Sequence, residues 1–313
     1  MKFEDYKLMT PKEPVDEKNF DVNKWKNENP VDYLKVIHII DRAPNLGKKI
    51  AFDVVYRALR LYVPNTLYKY YSLTSDEKMN KKKLETLASE QIYLSDAKSL
   101  NDPFELKAFF YDNKRLSHYE FLKKYDGKLI DDFSTFGLVT SLTENEVNSM
   151  PMWAHYSNNH EGYCISYDMT HEQNLSLTSC TFPVQYTDER IDITSLMIKE
   201  VEGILEAMKS AEKNGKRKVS LADSSLVILS SFFSNIKHSS WSYEKEFRCC
   251  VGSYGRELPF VEAIPKEIFI GMNCSSDNKT KLISIGRKLN IPIFQMVFDE
   301  LAPNFNLVPS LLS

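Results

Sequence analysis

The stretch of this 313-residue chain with the most chemical promise is Trp241-Ser242-Tyr243-Glu244-Lys245-Glu246-Phe247-Arg248. Read as an extended strand, it puts Glu244, Glu246 and Arg248 on one face and Tyr243, Lys245 and Phe247 on the other. Two carboxylates on one face repel, which raises one pKa and suits proton transfer or the stabilisation of a developing cation. Arg248 can equally neutralise one of them and make the cluster an ion-paired strand edge. The surroundings favour chemistry, because the E-x-E lies where a helical pattern gives way to a strand and has an indole and a phenol beside it.

Three other clusters invite a chemical reading. Asn101-Asp102-Pro103-Phe104-Glu105 has the pattern of a turn that opens a helix, with proline at the first helical position and an acid in the first turn; Asp102 or Asn101 could alternatively touch a ligand. Met152 to Gly162 carries Trp153, His155, Tyr156 and His160. Its histidines are five residues apart, which does not match the i, i+4 spacing of a helical metal pair, so no metal is expected. Trp153, His155 and Tyr156 could line a pocket for a planar ligand, or belong to an ordinary helix with a buried tryptophan. In Leu67-Tyr68-Lys69-Tyr70-Tyr71-Ser72, strand alternation sets Tyr68, Tyr70 and Ser72 against Lys69 and Tyr71.

Positioning these clusters requires strands and helices in irregular order. Polar residues 1 to about 29, with Pro11, Pro14 and Pro30 at its end, suggest an extended arm. Apolar steps of three and four predict helices over residues 31–41 and 46–62, the second ended by Pro64. Residues 67–73 and 91–95 suit strands, joined by a helix that Asp76 caps. A helix from Glu105 to about Tyr125, strands over 136–141, 162–168 and 182–186, a short helix over 152–159, and long helices over 191–213 and 219–237 follow. The last third reads as strands over 246–254, 258–262, 267–271 and 292–298, with a helix over 277–289. Strands mixed with unevenly inserted helices indicate an α+β fold: a small split or mixed sheet with inserted helices. The expected organisation is a polar arm and helical appendage over 1–64 and one α+β domain over 65–313.

Composition excludes several function classes. Forty basic against 43 acidic side chains leave a formal net charge of -3, too balanced for a polybasic nucleic-acid binder. The hydrophobic share of 42% is enough for a folded interior and no stretch is long enough to span a bilayer. Only ten glycines are present, roughly half the usual frequency. No G-x-x-x-x-G-K-[ST] and no G-x-G-x-x-G occurs, so neither a P-loop nor a Rossmann turn would hold a nucleotide. Without a G-x-S-x-G elbow or a cysteine paired with a histidine, covalent hydrolysis is disfavoured. Five cysteines lack C-x-x-C spacing and read as reduced thiols, and the start of the chain lacks a signal-peptide pattern. A cytoplasmic protein with a small-molecule ligand and no membrane association is expected.

Taken in order, Leu67-Tyr68-Lys69-Tyr70, Leu94-Ser95, Asn101-Asp102-Pro103-Phe104-Glu105, Met152-Trp153 through Tyr156 with His160, Gly162 and Cys164, and Trp241 through Arg248 resemble a bacterial family called domain of unknown function 2971. The resemblance covers residues 67 to about 300. A second, fold-level likeness is to ADP-ribosyltransferases, whose split sheet carries a histidine or arginine on one strand, a serine or tyrosine on another and a late E-x-E. That likeness implies NAD as co-substrate, Glu246 as the acid that stabilises the ribosyl cation, and Glu244 as its companion. Lys69 or Tyr70 would stand at the first position, where the family's histidine or arginine is replaced, and Ser95 at the second. Trp153, His155, Tyr156, Trp241 and Arg248 complete the expected binding residues. A toxin or phage-defence effector that transfers ADP-ribose or hydrolyses NAD is one implied role. The other reading of the residues is a non-catalytic module that binds a small ligand or protein through an aromatic pocket.

Overall fold

A computed structural model describes residues 21–36, 55–96, 100, 102, 104–105, 107–129, 137–215, 232, 234–252 and 259–312. Residues 1–20 of the expected arm, the end of the expected 31–41 helix, the start of the expected 46–62 helix, Asn101 and most of the expected helix over 219–237 lie outside these residues. Nine strands make the main sheet: β1 (Thr66–Tyr71), β2 (Ser95–Asp96), β3 (Gly137–Thr143), β4 (Tyr163–Asp168), β5 (Thr181–Pro183), β6 (Glu246–Gly252), β7 (Glu267–Ile270), β8 (Ile293–Phe298) and β9 (Leu307–Leu311). Their order is β9-β8-β7-β4-β1-β3-β6-β5, with β2 attached to β3. The principal helices are α1 (Val22–Glu28), α2 (Glu77–Ala88), α3 (Met150–Tyr156), α4 (Thr194–Lys213) and α5 (Ser276–Leu289). The fold is α+β, as expected. Among the described residues no helix is long and apolar enough to cross a membrane.

Neighbouring strands of the main sheet are antiparallel except β7 and β8. Those two are parallel because α5 joins them, and a parallel pair needs such a crossover. The pairing of β1 with β3 is the feature that matters for the site. β1 matches β4 over six consecutive pairs, from Thr66 opposite Asp168 to Tyr71 opposite Tyr163. Against β3 it has a single matched pair, Tyr68 opposite Thr143. Farther along the same edge of β3, β2 takes over, with Ser95 opposite Val139 and Asp96 opposite Leu138. Between these contacts the sheet is split along residues 140–142.

Alternation along β1 sends Leu67 and Tyr71 to the principal core, which also holds Leu84 and Leu87 of α2, Ile165, Ile268 and Leu282. Tyr68 and Tyr70 go to the opposite side, with Met152 and Trp153 of α3. A third cluster packs Trp25, Tyr33, Val55 and Leu59 against Phe182, Met197, Phe232 and Ile236. The N-terminal segments therefore share a core with the body, and the Tyr33 hydroxyl donates to the Pro183 carbonyl at 2.7 Å. Gly162 stands where β4 approaches β1: a Cβ there would lie 1.9 Å from the Tyr71 carbonyl oxygen. In a glycine-poor chain, that close approach accounts for one of the glycines present.

Several local expectations are corrected. Residues 22–28 are helical instead of extended, because the Asp21 carboxylate caps the helix through the Asn23 and Lys24 amides at 2.8 and 3.2 Å. The expected helix from Glu105 is replaced by a strand, Phe109–Phe110, paired with Ile191–Asp192, then a one-turn helix capped by Asp112 and a 3-10 helix over Glu120–Tyr125. The 182–186 strand is two, Thr181–Pro183 and Gln185–Thr187, in different sheets. Lys237 does not end a helix. It sits in a strand, Ile236–His238, parallel to Gln185–Thr187.

Candidate functional site

The split between β1 and β3 opens into a cleft of about 450 Å³. Tyr68, Lys69, Tyr70 and Ser72 come from β1 and its end, Lys83 from α2, Ser95 from β2, and Thr140, Ser141 and Leu142 from β3. Glu244, Glu246 and Arg248 form the far wall with Glu105, Lys237, Trp241 and Tyr156. The E-x-E reaches this cleft by a route that simple alternation does not describe. Glu244 ends a 3-10 helix, Ser239–Glu244, Lys245 adopts the left-handed region at φ 44°, and Glu246 opens β6. The turn is stapled to the end of β3: the Thr143 hydroxyl donates to the Glu244 carbonyl at 2.5 Å, and the Asn145 amide to the Tyr243 carbonyl at 2.7 Å. Both carboxylates point inward and Lys245 outward, its side chain 57% exposed.

Inside the wall the charges are matched closely. The Arg248 guanidinium donates Nε to Glu246 Oε1 at 2.7 Å and Nη2 to Glu246 Oε2 at 3.1 Å. Its Nη1 and Nη2 reach Glu105 Oε2 and Oε1 at 2.7 and 2.6 Å, and Nη1 also donates to the Ser234 carbonyl at 2.5 Å. Such forked geometry is what arginine supplies and lysine cannot. The Lys237 ammonium donates to Glu244 Oε2 at 2.6 Å and Glu246 Oε2 at 3.2 Å, and lies 3.8 Å from Glu105 Oε1. It also sits over the Trp241 ring, 4.7 Å from the centroid. The Tyr156 hydroxyl donates to Glu244 Oε1, and the Glu246 amide to the Tyr186 hydroxyl at 2.8 Å.

These contacts separate the two acids electrostatically. Burial on its own would raise the Glu246 pKa, but Arg248 and Lys237 outweigh it, with a hydrogen bond from Ser141, and hold the carboxyl down at about 2. Glu244 goes the other way: burial raises it, and the hydrogen bonds from Lys237 and Tyr156 only partly offset this. Glu246 is therefore a firm anion near neutral pH, while Glu244 is the more readily protonated member. Burial lowers Lys69 to about 8, against the opposing pull of Glu246.

Of the residues expected from the sequence, Glu244, Glu246, Lys69, Tyr70, Ser95, Tyr156, Trp241 and Arg248 line this cleft. Tyr70 contributes only an edge, since it is buried with its ring against Trp153 at 5.1 Å and its hydroxyl on the Glu146 carbonyl at 3.2 Å. Trp153 is not a cleft residue. Its indole is fully buried behind β1, donates to the Val147 carbonyl at 2.6 Å and stacks on His160. His155 faces solvent on α3, with Tyr156 and Tyr243 as ring neighbours and no place on the cleft wall. Both follow from the phase of a short helix that puts only Met152 and Tyr156 toward the opening.

Three charged residues of the cleft lie outside the set expected from the sequence: Lys83, Glu105 and Lys237. The sequence pattern makes Glu105 the first-turn acid of a helix. The Asp102 carboxylate does accept the Phe104 amide at 2.9 Å, but the turn delivers Glu105 to Arg248. A buried arginine with one nearby acid should have signalled a second one, because a guanidinium has five donors to satisfy. No sequence signal pointed to Lys237. Among the described residues, no group of three or more His, Cys, Asp and Glu is placed to hold a metal ion.

Residues 152–249 match the model of a family described as protein of unknown function, DUF2971. The match supports the family resemblance read from the sequence. It spans Tyr156, Lys237, Glu244, Glu246 and Arg248, while Lys69, Lys83, Ser95 and Glu105 lie before it. No curated protein and no solved structure matched the chain.

Proposed function

We propose that the cleft takes NAD as a co-substrate and that the protein breaks its nicotinamide–ribose bond, passing ADP-ribose to an acceptor or to water. The observation that carries this reading is the split of the sheet at residues 140–142, which sets Lys69 on one side against the E-x-E on the other. Departure of nicotinamide with the bonding electron pair leaves a ribosyl oxocarbenium ion. A fixed, dry anion is what that cation needs, and Glu246 is one. Glu244, with its raised pKa, is the group suited to accept the proton of the incoming hydroxyl or water. Trp241 and Tyr156 offer flat surfaces beside the acids.

Incubating the full chain with NAD should release nicotinamide. Glu246→Gln should reduce that release about a hundredfold or more, with folding checked by circular dichroism. If NAD is neither bound nor consumed in the presence of cell lysate, or if Glu246→Gln leaves turnover unchanged, the reading fails.

A second reading has its own observation: both Glu246 oxygens are already engaged by Arg248 and Lys237. This favours a non-catalytic module whose acids are structural. In that case a ligand would raise the melting temperature without being consumed, and Trp241→Ala would abolish the shift.

A further inference from the structure

We propose that Lys69 and Lys83 form an anion subsite, at the end of the cleft made by β1 and α2, for the diphosphate of a nucleotide ligand. This rests on the nucleotide reading above and adds to it the group recognised and a residue, Lys83, that the sequence did not single out.

The two ammonium groups are anchored separately. Lys69 Nζ reaches across the split to the Ser141 carbonyl at 3.0 Å, and Lys83 Nζ to the Ser72 carbonyl and hydroxyl at 2.6 and 2.9 Å. An ammonium has three donors, so each keeps capacity after these bonds. Among the described residues neither has a carboxylate at ion-pair distance, whereas Lys237 has three. Both side chains line the same cleft and act on each other electrostatically, and the hydroxyl residues Ser95, Thr140 and Ser141 lie along it. Burial lowers the pKa of each, and a bound anion would reverse that shift.

The opposite wall fixes the polarity of the ligand. There three carboxylates, Glu105, Glu244 and Glu246, are ion-paired among the described residues with two cations, Lys237 and Arg248. A ligand lying across the cleft must be anionic at the lysine end and neutral or cationic at the acid end. Two separately anchored ammonium groups suit two phosphoryl groups better than one.

The test is calorimetric titration of the full chain with inorganic pyrophosphate, inorganic phosphate and ADP at fixed salt. Pyrophosphate and ADP should bind more tightly than phosphate. Lys69→Met and Lys83→Met should each weaken pyrophosphate binding about tenfold or more, the size expected for losing one charge-assisted hydrogen bond, and Lys83→Arg should retain it. Should a methionine variant fail to fold, reductive methylation of the native chain replaces it: pyrophosphate should protect Lys69 and Lys83 but not exposed Lys81. Absence of pyrophosphate binding at millimolar concentration, equal affinity in well-folded methionine variants, or equal labelling with and without pyrophosphate overturns the proposal. Lysine-dependent pyrophosphate binding without NAD turnover would sink the catalytic reading and leave this subsite standing. NAD turnover indifferent to both lysine substitutions would sink the subsite alone.

Discussion

The two walls of the cleft are both charged and both partly buried, yet they are built on opposite principles. On the acid wall each charge is held by its neighbours: Arg248 forks onto Glu105 and Glu246, and Lys237 spans Glu244 and Glu246. On the lysine wall, Lys69 and Lys83 rest on backbone carbonyls and keep donors to spare. A closed network fixes geometry and pKa before any ligand arrives, which is what transition-state stabilisation demands. An open pair of cations bears a desolvation cost that a ligand can relieve. Buried charge therefore has two uses in one cleft: it can rigidify a site or wait for a partner.

The sharpest way to break the acid wall is Arg248→Met. Arg248 is 1% exposed and bridges two carboxylates that would be left buried without it. Breaking a buried pair by removing one partner costs about 3–5 kcal/mol. Chemical denaturation should show a loss of that size. Combining Arg248→Met with Glu105→Gln and Glu246→Gln should recover part of it, because the stranded charges are then gone. Full additivity of the three substitutions would refute the network.

Acid titration is the next largest effect, and its sign differs between the two glutamates. The Glu246 pKa is depressed from an ordinary value of about 4.3 to about 2. Its contribution is complete above the unfolded value and is lost as pH falls through that window, of order a few kcal/mol. Glu244 is raised, so it opposes folding while ionised and gives stability back as pH falls through its folded pKa. Stability measured from pH 6 to pH 2 should therefore fall less steeply in Glu246→Gln than in the native chain. In Glu244→Gln the fall should be steeper.

Much of this arrangement is legible in the sequence. The α2 cap at Asp76, the β1 and β4 strands, α5 and the placing of Glu246 and Arg248 on one face of β6 all follow from local rules of period and capping. What was not legible is long-range. Phe109–Phe110 became a strand only because Ile191–Asp192 pairs with it 82 residues later, and the reach of Glu105 to Arg248 spans 143 residues. Lys237 looks in sequence like the end of an amphipathic helix, and only its pairing beside Tyr186 makes it an internal cation. Trp153 misled for the opposite reason: a local cluster of aromatic and polar residues describes a pocket and a core equally well.

Tyr156 tests how far the network extends along the cleft. Its hydroxyl donates to Glu244, so Tyr156→Phe removes one charge-assisted bond, worth about 1.5–3 kcal/mol when lost from a charged partner. Stability should fall within that range. The Glu244 pKa should climb further, because the hydroxyl bond is one of the contacts holding it down. A carboxyl chemical-shift titration reads this directly, and an unchanged Glu244 would confine the network to Lys237, Glu246, Arg248 and Glu105.

The smallest stability change should come from the lysine wall, and that smallness is itself informative. Lys83→Met forfeits hydrogen bonds to Ser72, but it also removes the cost of holding a half-buried cation whose pKa burial has lowered. These terms oppose each other, so the net change should stay within about 1 kcal/mol. Lys69 adds a pH signature of the same sign as that of Glu246, placed in the alkaline range. Its folded pKa of about 8 lies below the unfolded value of about 10.4, so folding disfavours its protonated form and stability should rise as pH climbs through that interval. Lys69→Met should flatten this alkaline rise while leaving the acid limb in place. If instead Lys83→Met proved as damaging as Arg248→Met, the lysine wall would be a closed network too, and the contrast between the walls would fall.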